Sequence, residues 1–562
     1  MNLKLIPAQV EPLESRIAPA TLVVNVLTDP TSFTLHQLSL REAIQDAIGH
    51  GSTTIVFSPT LHGTLELSGG ALSVTNENLT IVGPGGGKIV IEPFVFSAPA
   101  QIFTVNDGTS KLSISGLTLV NGSTSTGNGG AIYSNGPLAI NNCIISGSSA
   151  ENGGAIYDKT SGAFVMTNSL VLSNNATNNY GGGLDVTAAG GIQITGSKII
   201  GNTSKAAEGG AYLDIPTNGT GNIVITNSII SGNTELSAGA LGINNEGNLP
   251  TKTVITNTVV SENTSSGSGA GVGGAFVSSS AADSLVVSGS SFLNNSSGGT
   301  GGGLYLSGPG SVTITGSHFS GNTSTSGAGI YVNKGAMSVS IQGSSILNNV
   351  SSGNGGGIFV GTSGVNLTLT GTMIGGNHAA SSGGGLYLGS NSGTTKITGS
   401  SFSGNRTVEN GGGAYIEGSG KVSISGTTFA SNFAGGLGGG LQLKSSGAHN
   451  VLSGVKIANN TALGNGGGLY IGSTGNFIIS SGSVVGNFSG DDGGGIYIGT
   501  SASGVIQTPA VVITGNQCEQ FYKIGAGVEH ASGSTGTVEM NTKYVTGNLG
   551  NGKVDNYYGS FT

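Results

Sequence analysis

The residues of this chain that could catalyse a reaction are few, and the first candidates are acidic. Asp491 and Asp492 form the only acidic pair of their kind, in the segment FSGDDGGGIY. Two carboxyl groups can serve as the general acid and base of glycoside cleavage. Related segments elsewhere in the chain carry Thr, Asn, Ser or Gly at this place. We therefore predict a solvated loop here rather than a catalytic pair.

The other residues with catalytic or metal-binding chemistry are dispersed. Gly49-His50-Gly51 imitates a glycosidase tripeptide, but a glycine that ends a helix explains it better. Lyase chemistry would need several carboxylates for Ca²⁺ beside a basic residue, and the 26 acidic residues form no cluster along the sequence. The histidines lack metal-ligand spacing; they are His36, His50, His62, His318, His378, His449 and His530. The sequence thus predicts no catalytic residue, no metal site and no cofactor.

The two cysteines, Cys143 and Cys518, cannot form a disulfide framework. The repeat described below places them about fourteen coils apart, or roughly 65 Å, so we expect no bridge between them.

Large aromatic residues recur at one place of a short motif, and they are the one feature that points to binding. These residues, which we call the aromatic column, are Tyr305, Tyr331, Phe359, Tyr387, Tyr415, Tyr470 and Tyr497, with Gln442 in one copy. Each lies between two aliphatic residues of a strand and must point outward. The rings could stack on one another under the loops. Alternatively, they could form a flat strip that binds a glycan or a partner protein.

The motif belongs to a repeat of about 28 residues that must position these side chains. A Gly-Gly-(Gly/Ala)-aliphatic-aromatic tract recurs from GGAIY at 129 to GGGIY at 493, with a weaker copy at 525. An apolar residue, two small residues and Asn follow each tract by roughly 19–23 residues. We predict that these Asn amides hydrogen-bond up the stack at bends with left-handed backbone angles. The predicted ladder includes Asn295, Asn322, Asn349, Asn377, Asn405, Asn432, Asn460 and Asn487, and similar pairs extend from Asn174 to Asn516.

Three short strands and three bends per repeat predict an all-β, right-handed parallel β-helix. One such unit cannot bury its apolar face alone, whereas stacked coils can. In residues 311–332, Val312 and Ile314, then Phe319, then Ile330 and Val332 mark the three strands. The right hand follows from the usual sense of strand crossovers.

The two ends differ from the middle. Ser39 followed by Glu42 is a capping box, and an amphipathic helix is predicted at 40–48, where it would cover the open end of the tube. We assign residues 1–20 to a leader or sorting segment and 21–115 to the cap and irregular coils. Residues 116–548 are then the regular repeats and 549–562 a tail.

Composition excludes several classes of protein. Glycine supplies 106 of 562 residues, against roughly 7% in ordinary proteins, but without the every-third spacing of collagen. Mean hydropathy of +0.14 argues against wholesale disorder. The net charge of −8 argues against a nucleic-acid partner. No segment is long and apolar enough for a membrane helix or the core of a signal peptide.

Three resemblances place the chain outside the cell. The alternation of GGAIY-like tracts with FSGN-like segments, over about residues 129–516, resembles the repeats of chlamydial-type polymorphic outer membrane proteins, which are autotransporter adhesins. The C-terminal membrane barrel of that family is missing, so we expect no barrel-mediated secretion. Residues 22–44, LVVNVLTD…SLREAI, resemble the CSLREA region that precedes bacterial β-helices, with Leu38 in place of its Cys. Residues 13–20 resemble the LEPR box of planctomycete and verrucomicrobial extracellular proteins.

These observations lead to two hypotheses. The first is a bacterial extracellular or cell-surface β-helix, an adhesion or structural scaffold without catalysis that binds a glycan or a surface protein. The alternative is a polysaccharide lyase or glycoside hydrolase, because right-handed β-helices also host such enzymes. The two differ in whether carboxylates and a base meet in one groove, and the sequence predicts that they do not.

Overall fold

The chain folds as a right-handed parallel β-helix of about 17 turns of about 28 residues each, as the sequence predicts. This computed structural model describes residues 20–30, 36–85, 87–94, 99–237, 239–247, 250–267, 271–280, 283–333, 338–447, 450–503, 505–519, 525–532, 537–540, 542–551 and 553–559. The predicted leader therefore lies outside the described residues, except for Ala20. No helix in these ranges is long and apolar enough to cross a membrane.

A typical coil contains four strands rather than the three expected. In one coil they are Ser311–Thr315, His318–Ser320, Thr323–Ser324 and Ile330–Val332. The additional third strand has only two residues, too few to show an alternating pattern, but it pairs in parallel with its copy in the next coil. We call these the first to fourth strands of a coil.

The strands stack in register across the coils. Within the described residues, first and second strands form one 35-stranded sheet, and third strands form a 16-stranded sheet. The fourth strands carry the aromatic column. They are Leu72–Val74, Phe103–Val105, Ile132–Ser134, Ile156–Thr160, Leu184–Ala188, Ala211–Ile215, Leu241–Asn245, Ala275–Ser279, Leu304–Ser307, Ile330–Val332, Ile358–Val360, Leu386–Asn391, Ala414–Gly418, Leu441–Ser445, Leu469–Ile471, Ile496–Ile498, Val528–His530 and Tyr557–Tyr558.

The inside of the tube is a continuous stack of aliphatic and phenylalanine side chains. Val312, Ile314 and Phe319 are all at most 1% exposed. Phe319 also stacks on Phe292 of the previous coil, with ring centroids 4.8 Å apart. Burial of these side chains holds the coils together, because each coil covers the apolar residues of its neighbour.

A short helix closes the N-terminal end. It spans Leu40–Ala47, one residue shorter than predicted, and both hydrogen bonds of the Ser39–Glu42 capping box are present. Its buried face packs on Ala20–Val24, Ser52–Phe57 and Leu72–Val74.

At the C-terminus the coils continue further than the clearest repeats do. Tyr557 and Tyr558 pair in parallel with Val528 and Glu529. Leu549–Gly550 and Lys553–Val554 form an antiparallel pair beside them. Part of the segment assigned to a tail thus belongs to the sheets.

Candidate functional site

The regular spacing of asparagine along the repeats produces a buried hydrogen-bonded ladder. The Oδ1 of Asn349 accepts from both the backbone N and Nδ2 of Asn322, at 3.0 and 2.9 Å. Nδ2 of Asn322 also donates to the carbonyl oxygen of Phe292 at 2.9 Å. The same pattern runs from Asn174 through every predicted ladder residue to Asn516, and it continues to Asn548, which the sequence analysis missed. The ladder satisfies polar groups inside the tube, so its role is structural.

The ladder residues do not adopt the left-handed angles predicted for them. The positive φ falls on the residue immediately before, such as Asn294, Asn348 and Asn459, or Gly321 in another coil. The preceding residue makes the bend, which leaves the ladder side chain free to point inward and meet its neighbours.

The rings of the aromatic column stack face to face. Successive centroids from Phe276 through Tyr305, Tyr331 and Phe359 to Tyr387 and Tyr415 lie 4.7–5.2 Å apart. Gln442 interrupts the column, and Tyr470 then stacks on Tyr497 at 5.4 Å. The column also includes Tyr133 and Tyr157, which the GGAIY tracts at 129 and 153 would have revealed.

Stacking leaves little of each ring for a ligand. Tyr305 and Tyr415 are only 7% exposed, and the remaining members from Tyr331 to Tyr497 are half-buried. Burial raises the pKa of Tyr331 and Tyr470, so their hydroxyls stay protonated. Since each ring face meets the next ring, the column presents mainly edges and hydroxyl groups rather than a flat strip.

The outward face of the third strands carries a different row of side chains, which the sequence analysis missed. One outward residue per coil is Ser, Asn or Thr from Ser149 to Thr323. From the next coil on, the row carries larger side chains at every position but one, and we call this stretch the third-strand strip. The strip consists of Val350, His378, Arg406, Phe433, Thr461 and Phe488.

The strip is accessible over its whole length. Val350 is 43% exposed, Arg406 is exposed, and the other members are partly exposed. The guanidinium carbon of Arg406 lies 4.1 Å above the centre of the Phe433 ring. No ion pair to Arg406 occurs in the described part of the chain.

Four carboxyl groups lie near one another in the middle of this fold, which the sequence analysis did not predict. We define the buried acid cluster as Asp185, Glu208, Asp214 and Glu235, contributed by three successive coils. Asp185, Glu208 and Glu235 are 6%, 3% and 4% exposed. They stand at different places of the repeat, so the sequence period does not reveal their proximity. Asp214 is partly exposed, whereas the other three members are shielded from solvent.

The remaining sequence candidates have structural roles. The backbone N of Asp492 donates to Asn465, and its carbonyl oxygen accepts from Gly466, which places it in a loop between coils. The backbone N of His50 donates to Glu77. Cys143 and Cys518 are buried free thiols, and burial raises their pKa values to about 11 and about 12. Within the described ranges, no three His, Cys, Asp or Glu side chains are arranged to hold a metal ion.

Comparison with known proteins adds evidence on the fold alone. A family model described as "Right handed beta helix region" matches residues 384–561. The A-module of the mannuronan C-5 epimerase AlgE6 from Azotobacter vinelandii is 15% identical, with 88% of this chain and 94% of that chain covered and a TM-score of 0.26. Tailspike protein 3 of bacteriophage CBA120 is 12% identical, with 91% and 58% covered and a TM-score of 0.17. No curated protein matches the chain.

Proposed function

We propose that this protein is an extracellular or cell-surface β-helix scaffold, without catalysis, that binds an acidic glycan along the third-strand strip. The observation that carries the proposal is the change in the outward third-strand residue. It is small and polar up to Thr323 and then aliphatic, aromatic or basic at every position from Val350 to Phe488 except Thr461. Apart from Glu235, the inward neighbours in these strands are small in both halves, for example Ser324 and Ala434, so folding of the tube does not require the change.

The chemistry of the strip favours a sugar polymer with negative groups. Phe433 and Phe488 are partly exposed and can contact the C–H faces of sugar rings, although one face of the Phe433 ring carries the Arg406 guanidinium. Arg406 can form charge-assisted hydrogen bonds with a carboxylate or sulfate, and His378 lies one coil away. Five coil steps of ~4.8 Å give a linear site of about 24 Å, which suits an extended chain.

Two observations support this site over the alternatives. The rings of the aromatic column already use their faces to stack on each other, so they offer a sugar less apolar area. Asp185, Glu208 and Glu235 of the buried acid cluster are at most 6% exposed, so a polysaccharide cannot reach their carboxyl groups.

The test is a binding titration with oligogalacturonate and oligo-alginate, with a neutral β-glucan oligosaccharide for comparison. We expect the acidic oligosaccharides to bind, and the combined variant R406T, F433T and F488T to lose at least tenfold in affinity. These substitutions install the residue found at the same place in other coils. The matched control is T264S, on the same strand row outside the strip.

Three outcomes would contradict the proposal. Unchanged binding by the triple variant would place the glycan elsewhere. A wild-type protein that binds neither acidic oligosaccharide would remove the glycan as partner and leave a surface protein. Product formation from these oligosaccharides, with or without Ca²⁺, would favour a lyase or hydrolase.

A further inference from the structure

The buried acid cluster interrupts the regular architecture in the middle of the helix. Asp185 takes the place of an aromatic ring between Tyr157 and Tyr212, and Gly242 follows Tyr212 at the same place. The side chain of Glu208 fills the space above Gly242, because a Cβ atom there would lie 2.5 Å from its Oε1. The carboxyl group thus occupies the volume that a ring fills in other coils.

The backbone conformation of Glu208 is unusual for its residue type. Glu208 has φ of +45°, at the place of the first glycine of the tract, such as Gly181 or Gly301. A non-glycine residue in this region is strained, and such strain persists only where the surrounding structure imposes it. Glu208 is therefore held in place by its buried contacts.

The carboxyl groups of the cluster are not balanced by the protein. Oε2 of Glu208 and Oε1 of Glu235 are buried without a hydrogen-bond partner. The other Glu235 oxygen accepts from the backbone N of Gly209 at 3.3 Å. Ionised carboxylates in such a place would repel each other without a compensating cation.

The groups around the cluster bring little positive charge. Asp185 faces Asp214, and Asp214 in turn faces Glu246 and accepts a hydrogen bond from Asn244 at 2.9 Å. Lys159 is the single cation that acts on Asp185 and Asp214 among the groups described around them, and it forms no ion pair with either. The phenols of Tyr157 and Tyr212 flank Asp185 and bring no positive charge.

We propose that the buried acid cluster is a pH-sensitive lock, in which protonated, neutral Glu208 and Glu235 keep the coils from Leu184 to Asn245 stacked. Ionisation of these two carboxyl groups at alkaline pH then opens this segment. A bound metal ion is the weaker explanation, since no three of the described acidic side chains converge on one point.

Electrostatics gives the direction of the pH dependence. Burial raises the pKa of Glu208 and Glu235 well above the ordinary value, and burial with the neighbouring Asp214 raises the pKa of Asp185 to about 7. The folded chain therefore binds more protons than the unfolded chain above about pH 4, where unfolded carboxyl groups ionise. Stability of this segment is full below that pH and falls as pH rises through 7.

The test follows amide hydrogen exchange in Ala211–Ile215 and Leu241–Asn245 from about pH 5 to pH 9, corrected for intrinsic exchange rates. We expect protection in the wild-type chain to fall about tenfold per pH unit for each proton released. E208G restores the glycine of other coils. In this variant the logarithm of protection should fall less steeply with pH, by the slope that corresponds to about one proton. The matched control is E262G, because Glu262 also has positive φ but its side chain is exposed.

Two further measurements separate the explanations. E208Q keeps the size of the side chain and should show the same shallow dependence of protection on pH. Agreement of the two variants excludes an altered structure in E208G as the cause of the shallow slope. Infrared difference spectra of wild type minus E208Q should contain the band of a neutral carboxylic acid at pH 7. An unchanged slope in both variants would overturn the proposal. Stoichiometric Ca²⁺ binding that restores protection at pH 9 and is lost in E208Q would replace the pH-sensitive lock with a cation site.

Discussion

At the scale of single residues, this fold depends on side chains that satisfy the same buried polar groups in every coil. From Asn202 to Asn548, each ladder asparagine accepts two hydrogen bonds from the coil before it, and each, like Asn349, donates to that coil and the next. The residue before it makes the bend, and glycine or asparagine suits that bend equally. Two adjacent residues of one type therefore have different roles, as at Asn348 and Asn349.

This difference predicts opposite results for neighbouring substitutions. N349A leaves the backbone N–H and one of the two Nδ2 hydrogens of Asn322 buried without an acceptor, and should lower the free energy of unfolding of its coils by about 3 kcal/mol. N348G, the matched control, should change it by less than about 0.5 kcal/mol, because Gly321 and Gly376 hold the same place in adjacent coils. Amide exchange in Ile330–Val332 and Ile358–Val360 measures both. Equal effects of the two variants would contradict the separate roles.

At the scale of elements, the N-terminal helix is held by one ion pair as well as by its apolar face. Arg41 Nε and Nη2 donate to the two carboxylate oxygens of Asp29 at 2.7 and 3.0 Å. The same guanidinium donates to the carbonyl oxygens of Gly70 and Ala71, which join the helix to the second coil. The Asp29 side chain is 1% exposed, so Arg41 forms a buried ion pair with it.

Removal of the cation should open this end of the tube. R41M leaves a buried carboxylate unpaired and should destabilise the cap by about 3–5 kcal/mol. Faster amide exchange in Ser52–Phe57 and Leu72–Val74, which the helix covers, would report the loss. The control is Q45A, on the exposed face of the same helix. A cost below about 1 kcal/mol would show that the apolar face alone anchors the helix.

At the scale of the whole molecule, the coils are interchangeable units in register. Ser345 pairs with Met373, Val350 with His378 and Phe359 with Tyr387, so a whole coil separates equivalent residues. Each coil contacts its two neighbours, and stability is then close to a sum of coil and interface contributions. The elongated form follows, and the fourth-strand stack alone spans about 80 Å.

A chain that lacks one complete coil should therefore still fold. Deletion of residues 345–372 joins Ser344 to Met373, brings Asn377 next to Asn322 in the ladder, and places Tyr387 on Tyr331. We expect native far-ultraviolet circular dichroism and a maximum dimension in X-ray scattering shorter by about 5 Å. Deletion of residues 345–358, half a coil, should break the register and abolish cooperative unfolding. Equal tolerance of both deletions would contradict stacking in register.

The sequence by itself determined the features that repeat. Inward aliphatic residues, glycine tracts, ladder asparagines and the capping box are local patterns, and identical coils must reuse them, so one coil predicts the others. Tertiary structure alone decided how the coils combine. It revealed the third strand, whose two residues are too few to show an alternation of apolar and polar side chains. It also revealed the face-to-face stacking of the rings, which depends on the spacing between coils. It also brought Glu208 and Glu235 together from different places of the repeat, where no periodic signal marks them.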